Sequence, residues 1–499
     1  MSNRIKGDQH EKGAVLPLVA ASLFLLIGLA AFATDLGWFY VNTNRVQRAA
    51  DAAALAGVIH MPQRFDLATS SAEELATTNG YEPGVDSAVV TVSQVPGQPS
   101  QLEVEVTDAV DTFFLKVFGM STQTISRSSR AEFLPPLPMG SPDNRFGNDP
   151  VDGVMTDFWA NIHGRYTDTR MGDAFSSFCR DNSGSGNDNC PQSPAYRSSR
   201  GYVYGIDTTS GVSDFTVYVL DGAFNFDNLP FPNGDNIRTG DHNDFCGTWP
   251  GCPGPHTTFT LYAPDPTPLD LSDNAVICTH SYPPQPQKGG AAPWVPGDWD
   301  VPKPCFTVIS PQPGIYPLEV EIDALPAVND DGLNRYSVKV ESGAGSPRLY
   351  ALGDMSIFNN FSGSNTQFYL AEVSDTYAGK MFIVELYDPG DAQANVSNKI
   401  HILDPSGTDL ASCGVYTRDE VTDSWTSMGT FSPCVIDATR PANDYNGKWL
   451  KVEVNLPDTY NCGTWCWWKV RYEYGGTASD TTTWRAYMEG NPVHLVPLG

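Results

Sequence analysis

The first 57 residues combine a continuous apolar run with a helical stripe of small side chains. Residues 14–33 contain no charge, and twenty helical residues at about 1.5 Å each can cross a hydrocarbon core of about 30 Å. Apolar and small residues then recur at three- and four-residue steps, at Leu36, Phe39, Thr43, Val46, Ala50, Ala53 and Gly57. This is the period of an α-helix. The pattern predicts a transmembrane helix over residues 14–34 that continues beyond the membrane.

The fate and orientation of this helix can also be read from the sequence. Ala-Phe-Ala at residues 31–33 fits a signal-peptide cleavage site, but the apolar run is longer than usual for such a peptide and the helical period continues past it. A retained anchor is therefore favoured over a cleaved one. Arg4, Lys6 and Lys12 precede the run and no basic residue follows before Arg45. The positive-inside rule predicts a cytoplasmic tail (residues 1–13) and an extracytoplasmic bulk, in a single-pass protein of the cell membrane.

Shorter elements follow in residues 35–134. A helix is predicted at residues 71–78, strands at 89–92, 102–106 and 122–133, and a second helix at 111–118 with Asp111 as its cap. These elements predict an α+β membrane-proximal stem. The proline-rich residues 135–150 are predicted to be a stiff linker.

The remaining chain repeats an order of strands. Strand–turn–strand segments begin at Tyr202 and at Phe368, and similar strands lie upstream and downstream of both. The two final strands of each copy are matched as residues 318–322 with 450–456, and 336–341 with 468–474. The repetition predicts two antiparallel, jelly-roll-like β-sandwiches, residues 151–341 and 342–499, in a mainly β protein with an N-terminal transmembrane helix.

Composition narrows the partners and the compartment. The formal net charge is −28 over 499 residues, so nucleic acid is not expected as a partner. Ten cysteines all follow the apolar run and predict disulfides in an oxidising compartment. The neighbours are Cys179 and Cys190, Cys246 and Cys252, Cys278 and Cys305, Cys413 and Cys434, Cys462 and Cys466. Pairing of neighbours is the simplest of many connectivities, and zinc at Cys462 and Cys466 is the rival interpretation.

No catalytic motif is found, so the protein is predicted not to be an enzyme. The sequence lacks a His-Glu-x-x-His, a Gly-x-Ser-x-Gly and a Walker motif. The sole cofactor hypothesis is calcium, because oxygen ligands cluster in loops after strands. The candidates are Asp221, Asn225, Asp227, Asp241, Asp244, Asp388 and Asp391. The alternative is that these residues form turns.

Four tryptophans in Gly/Pro-rich loops could stack on sugar rings of a polysaccharide or matrix ligand. They are Trp249, Trp294, Trp299 and Trp465. The alternative is that they pack in the sandwich cores beside the disulfides.

The N-terminal block resembles the anchor segment of TadG-like proteins of the tight-adherence (Flp) pilus system. The resemblance rests on Gly13 before the apolar run, Asp35-Leu36-Gly37 after it, and Gln47 followed by the alanine-rich residues 49–57. It implies a membrane-anchored protein with pilus-assembly partners, whose anchor and helix-packing residues are Gly13, Asp35, Gly37, Ala49, Ala50, Ala53 and Gly57. Prepilins of such systems carry a glutamate five residues after the glycine, where this chain has Leu18, so polymerisation as a pilin is not expected.

The small residues of this block fit two interpretations. They allow another helix to approach closely, or they pack on the chain's own domain because alanine favours helices. The β-rich remainder is only weakly similar to sandwich modules appended to secreted peptidases. The function predicted is therefore pilus assembly or adhesion. A free-standing carbohydrate- or matrix-binding adhesin is the alternative, and a secreted hydrolase is less favoured.

Overall fold

The computed structural model describes residues 15–62, 64–149, 153, 156–163, 172–174, 201–221, 257–265, 267–282, 299–322, 333–361, 365–389, 397–419, 424–439, 445, 447–474 and 478–498. The chain forms two compact units. Unit 1 contains residues 1–135 and 490–499, and unit 2 contains residues 136–489.

The described α-helices are α1 (Val15–Val58) and α2 (Phe65–Thr78). The strands of unit 1 are β1 (Val89–Val95), β2 (Gln98–Asp111), β3 (Thr122–Phe133) and β25 (Val493–Val496). Those of unit 2 up to residue 341 are β4 (Pro138–Met139), β5 (Arg145–Phe146), β6 (Trp159–His163), β7 (Tyr202–Asp207), β8 (Asp214–Asp221), β9 (Thr257–Tyr262), β10 (Val276–Tyr282), β11 (Thr307–Ile309), β12 (Ile315–Ile322) and β13 (Leu333–Glu341). The rest are β14 (Arg348–Leu352), β15 (Asp354–Phe361), β16 (Asn365–Glu372), β17 (Met381–Tyr387), β18 (Asn398–Leu403), β19 (Cys413–Asp419), β20 (Thr426–Phe431), β21 (Val435–Asp437), β22 (Lys448–Asn455), β23 (Trp467–Tyr474) and β24 (Ala478–Met488). Short 3₁₀ helices lie at Leu115–Phe118, Pro304–Phe306 and Asp375–Tyr377.

Helix α1 is one continuous element of 44 residues. Two polar side chains, Ser22 inside the apolar run and Thr34 just after it, are satisfied by the helix itself: the Ser22 hydroxyl donates to the Leu18 carbonyl and Thr34 donates to the Ala30 carbonyl, each at 2.9 Å. Backbone groups are likewise paired within a helix, which is the condition for crossing a hydrocarbon layer. In the described part of the chain, α1 alone is long and apolar enough to span a membrane.

Unit 1 is an α+β structure built on a four-stranded antiparallel sheet of order β1-β2-β3-β25. Strand β2 alternates, with Leu102, Val104 and Val106 fully buried and Glu103 and Glu105 less so. The buried face of the sheet packs with the second half of α1 and the alanines of α2 in one core. Strand β25 pairs with β3, so the last ten residues join unit 1, where the sequence had placed them in the second sandwich.

Unit 2 consists of two antiparallel sheets, and aromatic rings pack in the interior between them. One has ten strands in the order β10-β9-β12-β7-β14-β4-β16-β23-β18-β21, and the other has eleven in the order β11-β8-β13-β6-β15-β24-β17-β22-β19-β20. Rings from the two sheets meet between them: Phe215 lies 5.0 Å from Tyr316, and Phe382 lies 5.1 Å from Trp468. The predicted class, mainly β with antiparallel sheets and one long apolar N-terminal helix, is confirmed.

The two predicted sandwiches are joined through both sheets. Strand β7 pairs with β14, and β6 pairs with β15, so each sheet continues across the predicted boundary at residue 341. Side chains link the halves as well, since the Tyr202 hydroxyl contacts Thr483 at 3.2 Å and the Thr483 hydroxyl accepts from the backbone N–H of Ala174 at 3.1 Å. Pairing of this kind removes the open strand edges that two separate sandwiches would expose. The residues predicted to be a linker contribute here too, because β4 and β5 lie within unit 2.

The internal repeat holds for its first four strands and then shifts. In the ten-stranded sheet, β9-β12-β7 of the first half corresponds to β18-β23-β16 of the second. In the eleven-stranded sheet, β8-β13-β6 corresponds to β17-β24-β15. Strand β12 therefore matches β23, not β22, and β13 matches β24, not β23. The predicted matches of these last two strands were wrong, because β22, which lies beside β17 as β11 lies beside β8, carries the same kind of alternating pattern as β12.

Candidate functional site

The Asp35 carboxylate, just after the apolar run of α1, binds the loop that follows β2. Asp35 accepts hydrogen bonds from three consecutive backbone N–H groups, those of Phe113 at 2.7 Å, Phe114 at 2.9 Å and Leu115 at 2.6 Å. The carboxylate thus caps the 3₁₀ helix Leu115–Phe118, whose first N–H groups have no partner within the helix. The sequence had assigned this capping role to Asp111, which instead ends β2. We call this contact the Asp35 latch.

Asp35 is buried, and the groups around it stabilise its ionised carboxylate. Asp35 is 3% exposed. Burial tends to raise its pKa, but the backbone donors at Leu115, Phe113 and Phe114, together with Lys116, outweigh burial and hold the pKa below its usual value. Asp35 is therefore charged at neutral pH, and the charge is neutralised by oriented N–H dipoles.

Aromatic side chains surround the latch. The Trp38 ring lies 5.5 Å from the Phe113 ring, and the Arg45 guanidinium lies 5.8 Å from the centre of the Trp38 ring. On the same helix Gly37 is exposed, with open space where a Cβ would lie. Just past the apolar run, α1 therefore carries a buried acid (Asp35), an aromatic ring (Trp38) in contact with Phe113, and an exposed glycine (Gly37).

The alanine stripe packs on the chain's own domain. Ala49, Ala50 and Ala53 are at most 1% exposed within the unit 1 core. A Cβ on Gly57 would lie 2.6 Å from the Ala68 carbonyl oxygen and 2.6 Å from Leu102, so only glycine lets α1 approach α2 and β2 this closely. The described structure thus fills this face within the chain, while Gly13 lies outside the described residues.

The cysteines within the described residues are bonded to their sequence neighbours. Disulfides join Cys278 to Cys305, Cys413 to Cys434 and Cys462 to Cys466. Zinc at Cys462 and Cys466 is not compatible with the bond between them. Cys179, Cys190, Cys246 and Cys252 lie outside the described residues.

The calcium candidates fall mostly outside the described residues. Asn225, Asp227, Asp241, Asp244 and Asp391 lie outside the described residues, and Asp221 is described only as the last residue of β8. Asp388 is 1% exposed and accepts from the backbone N–H of Gly447 at 2.6 Å. Its positive φ of 55° fits a turn after β17. Within the described ranges, no three His, Cys, Asp or Glu side chains converge on a position for a metal ion.

The loop tryptophans have different environments. Trp249 and Trp294 lie outside the described residues. Trp299 packs beside Trp159 and Phe358, and its indole N–H donates to Asp149 at 2.8 Å. Trp465 is 44% exposed in the Cys462–Cys466 loop. It borders a cleft of about 410 Å³ that is also lined by Tyr460 and Trp468.

Two features of the site had no signal in the sequence. The latch joins residues 78 to 80 positions apart, and no local pattern pairs an acid with a distant loop backbone. A second cleft, of about 900 Å³, is assembled in unit 2 from segments near Arg145, Arg348 and Tyr369, which lie far apart in the chain. Such contacts become visible only when the sheets place the segments side by side.

One contact resembles part of a hydrolase site. The His60 Nε2 lies 2.9 Å from the Ser71 hydroxyl in unit 1. A nucleophilic serine also needs a group that orients the base and donors for the oxyanion. Within the described contacts of His60, no carboxylate is hydrogen-bonded to its other ring nitrogen. The pair joins the turn after α1 to α2.

Comparison with known proteins supports the N-terminal assignment. Residues 13–60 match the family model of Flp pilus-assembly TadE/G-like proteins. The matched range includes Asp35, the alanine stripe and Gly57, and ends two residues after α1. No curated protein matches the chain.

Proposed function

We propose that this protein is a non-catalytic, membrane-anchored component associated with Flp pilus assembly, with its bulk outside the cytoplasmic membrane. The observation that carries the proposal is the match of residues 13–60 to the TadE/G-like family. The matched residues form helix α1, whose first half is apolar and exposed and whose second half packs in the core of unit 1. The first half would anchor the protein, and the second would transmit the position of the membrane to unit 1.

The orientation is supported by charge and cysteine chemistry. Arg4, Lys6 and Lys12 precede the apolar run, which favours a cytoplasmic N-terminus. Three disulfides in unit 2 fit an oxidising compartment on the other side. Unit 2 would then be exposed to partners outside the membrane.

The proposed role is tested by cross-linking in native membranes, followed by recovery through a C-terminal tag and mass spectrometry. The matched control replaces residues 15–33 with a cleavable signal peptide, which leaves unit 1 residues 46–58 in place. Recovery of pilin, secretin or tight-adherence platform proteins with the full chain, and not with the control, would support an assembly role. Recovery of the protein alone would contradict it.

A second role in binding carbohydrate is favoured by the cleft beside Trp465. An exposed indole at the edge of a cleft offers the stacking surface that sugar recognition uses. In that case Trp465→Ala should weaken binding of the exported protein to a glycan array, whereas Trp425→Ala, at a half-buried tryptophan, should not. Equal binding by both variants and the parent would count against this cleft.

A further inference from the structure

The loop that the Asp35 latch holds is apolar and uncovered. Val117 and Phe118 are 80% and 79% exposed, and Phe113, Phe114 and Met120 are each nearly half exposed. Five large apolar side chains within eight residues form a patch of the kind that marks a membrane or protein contact. We call residues 113–120 the apolar loop.

The latch fixes the apolar loop at one level along α1. Asp35 lies two residues after the end of the uncharged run, which is about 3 Å along the helix axis. Its carboxylate oxygens contact the loop backbone at 2.6 to 2.9 Å. Loop and helix belong to the same unit, so a membrane crossed by residues 15–33 has its surface at the level of the loop.

The charge of the loop suits a lipid surface. The chain carries a net charge of −28, yet no acidic residue lies between Asp111 and Glu132, and exposed Lys116 is in the middle of the loop. A lysine among apolar side chains can reach the lipid head groups while its neighbours enter the acyl boundary.

The surface of α1 continues the same pattern. Leu36 and Tyr40 are 56% and 69% exposed beyond the apolar run, and Trp38 contacts Phe113. Aromatic residues at this level are typical of membrane interfaces. The apolar loop therefore extends sideways the lipid-facing surface that the helix begins.

We propose that the apolar loop inserts into the outer-leaflet interface of the membrane that α1 spans, as a second contact that fixes how unit 1 stands on the bilayer. The inference rests on the membrane anchoring of the proposed function. The occupant of the patch is lipid, at the boundary of head groups and acyl chains, where interfacial segments bury about 5–10 Å of their apolar face.

The test uses the full chain reconstituted in vesicles of phosphatidylcholine and phosphatidylglycerol that contain a lipid with a photoactivatable acyl chain. After illumination and trypsin digestion, lipid adducts are counted on three peptides, residues 13–45, 117–127 and 486–499. The last contains Leu495, which is 43% exposed. It pairs with Ala131, nine residues along β3 from Thr122, the end of the strand next to the apolar loop, or about 30 Å away at strand spacing.

We expect adducts on residues 13–45 and, several-fold above the 486–499 level, on residues 117–127. The double change Val117→Ser with Phe118→Ser should reduce adducts on 117–127 to the level of 486–499 and leave those on 13–45 unchanged. Leu495→Ser is the matched control and should change neither. Hydrogen exchange of β2 checks that the variants remain folded.

Three results would overturn the inference in distinguishable ways. Adducts on 13–45 with none above background on 117–127 would refute loop insertion and leave the anchor intact. Absence of adducts on both peptides would refute the anchor as well. Adducts on 117–127 that persist in the double variant would show that the apolar side chains do not cause the contact.

Discussion

The two halves of α1 differ in the size of their side chains and in what surrounds them. Residues 15–34 carry large apolar side chains that nothing in the described chain covers: Phe24 is 82% exposed and Leu25 66%. From Val46 to Val58 the buried side chains are small, and Val46, Ala50, Ala53, Ala54 and Val58 are fully buried. Large residues face outward where the surroundings are fluid, and small ones face inward where a protein backbone must approach.

The difference follows from what each half packs against. Lipid chains adapt to any side-chain shape. A larger apolar side chain therefore gains transfer free energy from leaving water and meets no steric limit. The neighbouring α2 and β2 are rigid, and their distance from α1 is fixed by the smallest residues at the contact. Asp35 lies between the two halves of α1, and the Asp35 latch connects the helix there to the loop after β2.

The largest expected effect comes from a charge in the outward half. Phe24→Arg near the middle of the apolar run should reduce membrane insertion at a cost of about 2.5–3.5 kcal/mol. The measurement is the fraction of protein in carbonate-washed membranes. Tyr40→Arg, at an exposed position beyond the run, is the control and should remain with the membrane. Equal retention of both variants would contradict the assignment of residues 14–34 as the span.

A smaller but clear effect is expected from added volume in the inward half. Gly57→Val should destabilise unit 1 by about 1–3 kcal/mol, because the new side chain meets the Ala68 backbone and Leu102. Thermal unfolding in detergent measures it. Gly28→Val is the control on the same helix, since open space surrounds Gly28. If both valines were tolerated equally, the close contact of α1 with α2 and β2 would be wrong.

Loss of the latch should act locally. Asp35→Asn removes the charge that faces the N–H groups of Phe113, Phe114 and Leu115, so their hydrogen exchange should accelerate while that of β2 stays slow. Asp66→Asn, at an exposed acid paired with Arg64, is the control and should leave the loop unchanged. Unaltered exchange in the Asp35 variant would mean that the latch does not order the loop.

The smallest effect is a dependence on pH. The Asp35 pKa is lowered in the folded protein, from about 3.9 in an unfolded chain. The latch therefore adds its full stability above the unfolded value and loses it as the pH falls through the folded one. Loop exchange, corrected for intrinsic chemistry, should be constant at neutral pH and rise only below about pH 4. In Asp35→Asn that acid-dependent rise should be absent.

Much of the architecture could be predicted because it depends on patterns of consecutive residues. The apolar run over residues 14–33 and the alternation of strands such as β2 are properties of consecutive residues, and they identified the anchor and the β-rich class. The acidic residue after the run and the alanine stripe also identified the family of the N-terminal segment. Their physical cause is short-range, since helices and strands expose side chains with fixed periods.

The tertiary structure decided which residues meet. Asp35 caps a loop about 80 positions away because the sheet returns the end of β2 to the helix, and Asp111, the nearer acid, is used to end the strand. Likewise β7 joins β14 because both would otherwise have open edges, so the two repeats form continuous sheets. The correspondence of β12 with β23 depended on sheet order, which an alternating pattern shared by β22 could not reveal. The sequence by itself determined the elements and the family of the anchor, and only the long-range packing determined the latch and the surface that it presents.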